Sequence, residues 1–483
     1  MRWLRALASR RAGCSVPPTL NGSVSPGTNT AAQHRDREAT AARSEAFALL
    51  LYAQQDWQLR KVQSHEFKEG GYTVARVSID CVAQDLPGLR YSFESSEHTV
   101  DEPILVPVTF MQKGALRQFD MRGPADEPLP VIGRSEYSDL MIGVLSYQIE
   151  NAIVPGSDPA ALKDALNVVL DEDPGAAAKT CALLVDKGIG MGGVRVLDAS
   201  RISPFAAALL SSLSSAYVLI ALLPAEYARR RVVIKYAHLD PQEVEPLGWK
   251  KRWRGAAGLE PLRVGFGLSH PVGSASHHLQ VTVPNALRCA SLTLPGDRQD
   301  RNTSDAAGAG VVHVAAPYVQ DPGEPAEAEF VVPWSGMRAT TWLVTMVTFA
   351  ITFLGLVLPG GQEALIDAAD GAAALLLAIP AVAVAFAAGR PESAIESVLL
   401  GPLRLVVMSC ALMLLACAGS IVGVLHEPWR TILWSVGAVA SGFATAALCS
   451  AELEGLLGRA RTPALRASAV VAAVLLACGI FAW

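Results

Sequence analysis

Lys250-Lys251-Arg252-Trp253-Arg254 puts four cations and one indole into five consecutive positions. Clustered Lys and Arg attract phosphate, and a tryptophan beside them suits the boundary between water and hydrocarbon. The chemistry this run predicts is contact with anionic phospholipid headgroups, worth ~1 kcal/mol per basic residue at a charged surface. Arg229-Arg230-Arg231 and Lys235 lie close upstream. The competing reading of Lys250 to Arg254 is a solvated loop whose charges meet acids nearby.

Other residues with chemical potential are weaker. Gly188-Ile-Gly190-Met-Gly192-Gly193 satisfies GxGxxG. A dinucleotide fingerprint needs a strand before it and a helix after it. Val194 to Leu197 reads instead as a strand or loop, so these glycines are expected to form a loop between helices. His277 and His278 are adjacent and must point to opposite faces of a strand. With His270 and His313 they lack the HExxH or CxxC partners of a metal site. The eight cysteines form no CxxC pair and read as buried thiols. No GxSxG, Walker A or paired-carboxylate pattern occurs, so no catalytic residue, metal or cofactor is assigned.

These residues must be held by something, and composition says what. Of 483 residues, 51% are hydrophobic and only 18% charged, against about 25% charged in soluble domains. Mean hydropathy is +0.31. The net charge of −5 gives no general attraction to nucleic acid. Five uncharged runs close the chain, at 340–358, 372–388, 405–425, 431–450 and 467–483. About 20 residues of helix cross a ~30 Å hydrocarbon core, so each run is expected to span a membrane. None contains Asp, Glu, Lys, Arg or His, which argues against a self-contained pump. Gly437, Ser441 and Thr445 give the fourth run a small-residue face suited to close helix packing.

Charge sets the expected orientation. Arg390 and Arg404 follow the second run, and Arg459, Arg461 and Arg466 follow the fourth; the loop after the first holds only acids. By the positive-inside rule the region before Thr340 is expected in the cytoplasm and Trp483 outside. Residues 1–46 carry Arg2, Arg5, Arg10 and Arg11 but no apolar stretch like that of a secretory signal, and read as a disordered basic and polar tail.

Between tail and spans the pattern is mixed. Trp57–Val62 and Tyr72–Cys81 predict strands about Gly70-Gly71. Pro103–Met111, Ala115–Met121 and Leu129–Ile132 read as further strands. Ser135 is the expected N-cap of a helix carrying Met141, Val144, Leu145 and Ile149 on one face. Asp158-Pro159, Asp173-Pro174 and Ser203-Pro204 each set a capping residue before a proline suited to a first helical position. The uncharged stretch 205–223 is read as a helix feeding a strand, with Arg230–His238 as that strand's partner, and a sixth span as the alternative. From Pro261 to Val332 short strands separated by turns suggest a small sandwich.

Pro103-Ile-Leu-Val-Pro-Val-Thr, Lys113-Gly-Ala-Leu-Arg117, Phe119-Asp-Met-Arg122, Leu129-Pro-Val-Ile-Gly-Arg134 and Arg230 to Asp240 together resemble an uncharacterised family of actinobacterial multi-pass membrane proteins. The resemblance runs from about residue 56 and implies membrane location without an activity.

The expected fold is thus an α+β soluble region with a juxtamembrane β-sandwich, followed by an all-α transmembrane bundle of five helices. Its boundaries are 1–46 for the tail, 47–255 for the α+β domain, 256–335 for the sandwich and 336–483 for the membrane domain. The expected function is a non-enzymatic binding or assembly module in the cell membrane. Its partners would be the bilayer, its anionic headgroups and an unknown protein. A transport or channel component and a membrane-surface enzyme are the alternatives.

Overall fold

The computed structural model describes residues 30–68, 71–86, 88–91, 102–114, 117–241, 248–268, 274–294, 310–317, 325–358, 378, 382, 393–421 and 428–457. The run at 467–483, all of 372–388 but 378 and 382, His270 and most of the tail therefore lie outside the described residues.

The chain is α+β up to its last third, and helical after it. The first described element is helix α1 (Thr30–Tyr52), followed by the short α2 (Gln54–Trp57). Residues 30–46, expected within the disordered tail, are thus helical. Their composition is polar, but Ala46, Phe47, Ala48, Leu50 and Leu51 bury the end of α1 in a core that local sequence does not reveal.

Strands β1 (Gln58–Phe67) and β2 (Tyr72–Val82) form the expected hairpin, with Lys61 opposite Ile79 and His65 opposite Ala75. After β3 (Ile104–Gln112) and β4 (Arg117–Arg122) come helices α3 (Arg134–Ile149), α4 (Pro159–Asp171), α5 (Pro174–Lys187) and α6 (Pro204–Ser215). The three Asp-Pro and Ser-Pro starts form as read. Asp158 accepts from the Ala160 amide at 2.9 Å, Asp173 from Gly175 and Ala176, and Ser203 from Ala206 at 3.1 Å. The N-cap of α3 is Gly133 rather than Ser135, because Glu136 reaches back to accept from the Gly133 amide at 2.9 Å. Leu129–Ile132 forms no named strand; only Val131 bridges to Ala221.

Helix α6 runs straight into β5 (Ala216–Leu223), so 205–223 is a helix feeding a strand. Its partner, however, is β3, while β6 (Arg231–Pro241) pairs with β2 and β4. The remaining elements of this region are α7 (Trp249–Ala256), β7 (Leu262–Phe266), β8 (Ser276–Thr282), β9 (Arg288–Thr293), β10 (Val311–Pro317) and β11 (Ala326–Val331). They do not form a separate sandwich from 256 to 335. Strands β8 and β10 join the main sheet, in the order β10-β8-β1-β2-β6-β4, while β7, β11 and β9 form a three-stranded sheet. The cause is the parallel pairing of β8 with β1, which brings together segments more than 200 residues apart.

Two cores result. One gathers α1, α3–α6 and the β3–β5 pair against the inner face of β2 and β6. The other joins the smaller sheet, β8 and β10 to Ile395, Leu399, Leu400 and Leu403.

Among the described residues the last third provides three helices long and apolar enough to cross a membrane: Trp334–Val357, Ala394–Ile421 and Trp429–Cys449. We label their α-helical elements α8 (Ala339–Val357), α9 (Ala394–Ile421) and α10 (Trp429–Leu457). Helix α8 turns Thr341, Thr345, Thr348, Thr352 and Gly355 inward. Each threonine hydroxyl donates to a carbonyl of the same helix at 2.7–2.8 Å, so the apolar setting leaves none unsatisfied. Helix α10 lies antiparallel to it, with Leu448 near Arg338 and Trp434 near Gly355. The Gly437 face packs inside the bundle, against Met413 and Thr352. Outward, α10 shows Trp429, Ile432, Val436, Val439 and Phe443 at alternating spacings of three and four, with Phe443 77% exposed. Such a stripe matches lipid rather than water.

Candidate membrane-surface site

The basic run is a helix rather than a loop. Its first turn closes with the Arg252 amide on the Gly248 carbonyl at 3.1 Å. Gly258 ends it in the left-handed region, at φ +74°, where the Leu259 amide reaches back to the Arg254 carbonyl at 2.9 Å. Gly255 and Ala256 are buried against α9, and a Cβ on Gly255 would come 3.0 Å from Leu399 Cδ2. That close approach seats α7 at the base of the bundle.

The opposite faces carry the charge. Lys250, Lys251, Arg252 and Arg254 are exposed, and Trp249 is 69% exposed. Arg254 pairs with Glu260 at 3.1 Å. Among the described residues Lys250, Lys251 and Arg252 have no carboxylate partner. The expectation of neighbouring acids thus holds for one cation of four. Trp253, one turn after Lys250, is half-buried and lines a groove of about 250 Å³ between α9 and α10 together with Leu405, Ser409 and Ser441.

Aromatic residues mark the two ends of the bundle. Trp249, Trp253, Trp334 and Trp342 gather at the sheet end, with Trp334 and Trp342 centred 6.0 Å apart. Arg338 lies over Trp334 at 5.0 Å and donates to the Leu448 carbonyl at 3.4 Å. Trp429 stands at the other end, 66% exposed. From Trp429 to Leu448 a helix rises ~29 Å at 1.5 Å per residue, close to a hydrocarbon core.

Two further places were not found from sequence. The first is a cleft of about 640 Å³ lined by Lys113, Phe119, Arg134, Tyr137, Asp171 and Tyr217, among others. Lys113, Gly114 and Phe119 meet Val131, Ile132 and Arg134 around it. Lys113, Arg134, Asp171 and Asp173 there are engaged in holding the fold. Lys113 donates to the Val169 and Glu172 carbonyls at the end of α4, Asp171 meets Ser138 at 3.0 Å, and Asp173 caps α5. Burial lowers the pKa of Lys113.

The second is a buried polar row on the inner face of the main sheet, between the two cores. Lys61 is 2% exposed and donates to Thr109 Oγ1 at 3.1 Å. Gln63 bonds His65 at 2.8 Å and the Gly267 carbonyl at 2.9 Å. His277 is 1% exposed and neither ring nitrogen has a partner. Burial pulls Lys61 down to about 7, and His65 and His277 to about 3. Alternation in β1 gave no warning, because neither of its faces is apolar. His278 takes the outer face as expected, where it stacks on His313 with nitrogens 3.1 Å apart.

The glycines at 188–193 follow helix α5 rather than a strand. Gly188 caps that helix at φ +68°, and no helix starts after them before Pro204 except short 3-10 turns. They are a helix stop and a turn, without the helix N-terminus a phosphate would need.

The chain matches no protein-family model, and comparison with curated proteins finds no significant match. Function therefore rests on the site itself.

Proposed function

We propose that this protein is a multi-pass cell-membrane protein whose α+β region is a binding module held at the cytoplasmic surface, with α7 resting on anionic headgroups. The observation that carries this is the position of α7: three cations with no carboxylate partner among the described residues, and two indoles, at the base of a bundle with an apolar exterior. Each basic residue near such a surface adds ~1 kcal/mol of attraction.

Five crossings fit the connectivity. Helix α8 ends beside Trp434, at the end away from the sheets, and α9 starts beside Gly71, back among them. The chain between them has to return, which supports a crossing at 372–388. A last crossing at 467–483 would take the C-terminus outside, in keeping with the arginines of 459–466. The binding role is favoured over an enzymatic one because two of the cleft's acids, Asp171 and Asp173, serve as an ion-pair partner of Arg134 and as a helix cap.

Hydrogen exchange of the full chain in nanodiscs tests the headgroup contact. Residues 249–256 should exchange more slowly in phosphatidylglycerol than in phosphatidylcholine. The difference should vanish in the triple variant Lys250→Gln, Lys251→Gln, Arg252→Gln. Equal exchange in both lipids for the wild type would overturn the reading.

A further inference from the structure

We infer that the groove between α9 and α10 holds one acyl chain of an anionic phospholipid whose phosphate rests on α7. This rests on the headgroup reading above and goes further, giving that lipid a fixed seat.

The groove lies within the spanning segments and has a volume of about 250 Å³. Its floor is made of small side chains, Gly437, Ala440, Ser441 and Ala444, and its α9 wall contains Leu405 and Ser409. Ser441 and Ser409 donate to carbonyls of their own helices, at 2.5 and 2.8 Å. The lining thus offers a chain almost nothing polar to displace. Trp253 of α7 lines it as well.

The charge beside Trp253 selects the occupant. Lys250 stands one turn before Trp253 on the same helical face, and it has no carboxylate partner among the described residues. Arg404, next to Leu405, carries a buried Nε without a partner. Both cations adjoin lining residues, Lys250 one helical turn from Trp253 and Arg404 beside Leu405, so the proposed lipid seats its phosphate there. A neutral lipid would gain only the groove. The chain's own 467–483 segment would gain the groove and leave the cations unanswered.

Native mass spectrometry of the full chain, with phosphatidylglycerol or phosphatidylcholine added, reads the seat. Wild type should retain phosphatidylglycerol at least tenfold better than phosphatidylcholine. Ser441→Leu and Ala444→Leu, each checked for wild-type thermal unfolding, should cut that retention about tenfold by filling the floor. A phosphatidylglycerol with a diazirine in its tail should label residues 405–413 and 437–444. Retention unchanged in a folded groove variant, or labelling that misses both segments, overturns the seat while leaving the headgroup contact standing. Cross-linking of the Ser441→Cys variant to 467–483 also overturns it. If Lys250→Gln with Lys251→Gln and Arg252→Gln keeps the full preference for phosphatidylglycerol, the headgroup reading itself fails.

Discussion

Lys61 faces His277 across the parallel pair of β1 and β8, and both side chains are buried. An amine and an imidazole so placed make stability depend on pH. Burial pulls the Lys61 amine to about 7, far below its ordinary value, so the unfolded chain binds the extra proton above pH 7. Stability should therefore rise as pH climbs from about 7 toward 10. His65 and His277, held down near 3 by burial, stay neutral when folded and take protons when unfolded. Stability should fall as pH drops below about 6.5. Thermal unfolding of the full chain in detergent should show both slopes. Lys61→Met should flatten the upper one and His277→Leu should weaken the lower. A flat wild-type profile from pH 7 to 10 would contradict this account of Lys61.

Gly355 abuts the Trp434 ring so closely that an added Cβ would collide with it. Gly355→Leu should force α8 and α10 apart, at about 1–3 kcal/mol for overpacking a close contact. Trp434 would also be shifted from its hydrogen bond to Ser420 Oγ at 3.0 Å. A lower unfolding temperature in detergent, with the soluble sheets intact by circular dichroism, is the expected signature.

Asp173 accepts from two amides at the start of α5, and Asp158 from one at the start of α4. Replacing either by alanine should cost about 1 kcal/mol. Asp173→Ala should be the more damaging, as two amides lose their acceptor. Paired thermal melts of the two variants check the order.

Reporter fusions measure the topology. A reporter after Gly336 should be active only in its cytoplasmic form, and one after Trp483 only in its external form. An external reporter after Gly336 would reverse the proposed orientation and move α7 to the outer leaflet.

What sequence could reveal was local. Asp-Pro and Ser-Pro starts, uncharged runs and the Gly70-Gly71 hairpin declare themselves within a few residues. Pairing did not: β5 and β6 look like neighbours, yet β5 sits on β3, whose Val106 and Phe110 share its core. Likewise β8 reads as part of a separate sandwich until its parallel pairing with β1 is seen. Of the candidate site, the cations of α7 were legible and its helical form was not. Four charges in eight residues show no apolar face, and the surface that Gly255 meets comes from Leu399 on the distant α9.

Helix α9 runs unbroken from Ala394, inside the sheet core, to Ile421 at the far end of the bundle, with Pro402 between the two settings. No linker intervenes, so the main sheet cannot swivel freely over the bilayer. Its polar outer face, bearing Arg76, Asp80 and Arg231, keeps a set compass bearing to the plane below. A thicker or thinner bilayer that tilts the span would tilt that surface with it, like a lever passing through a floor.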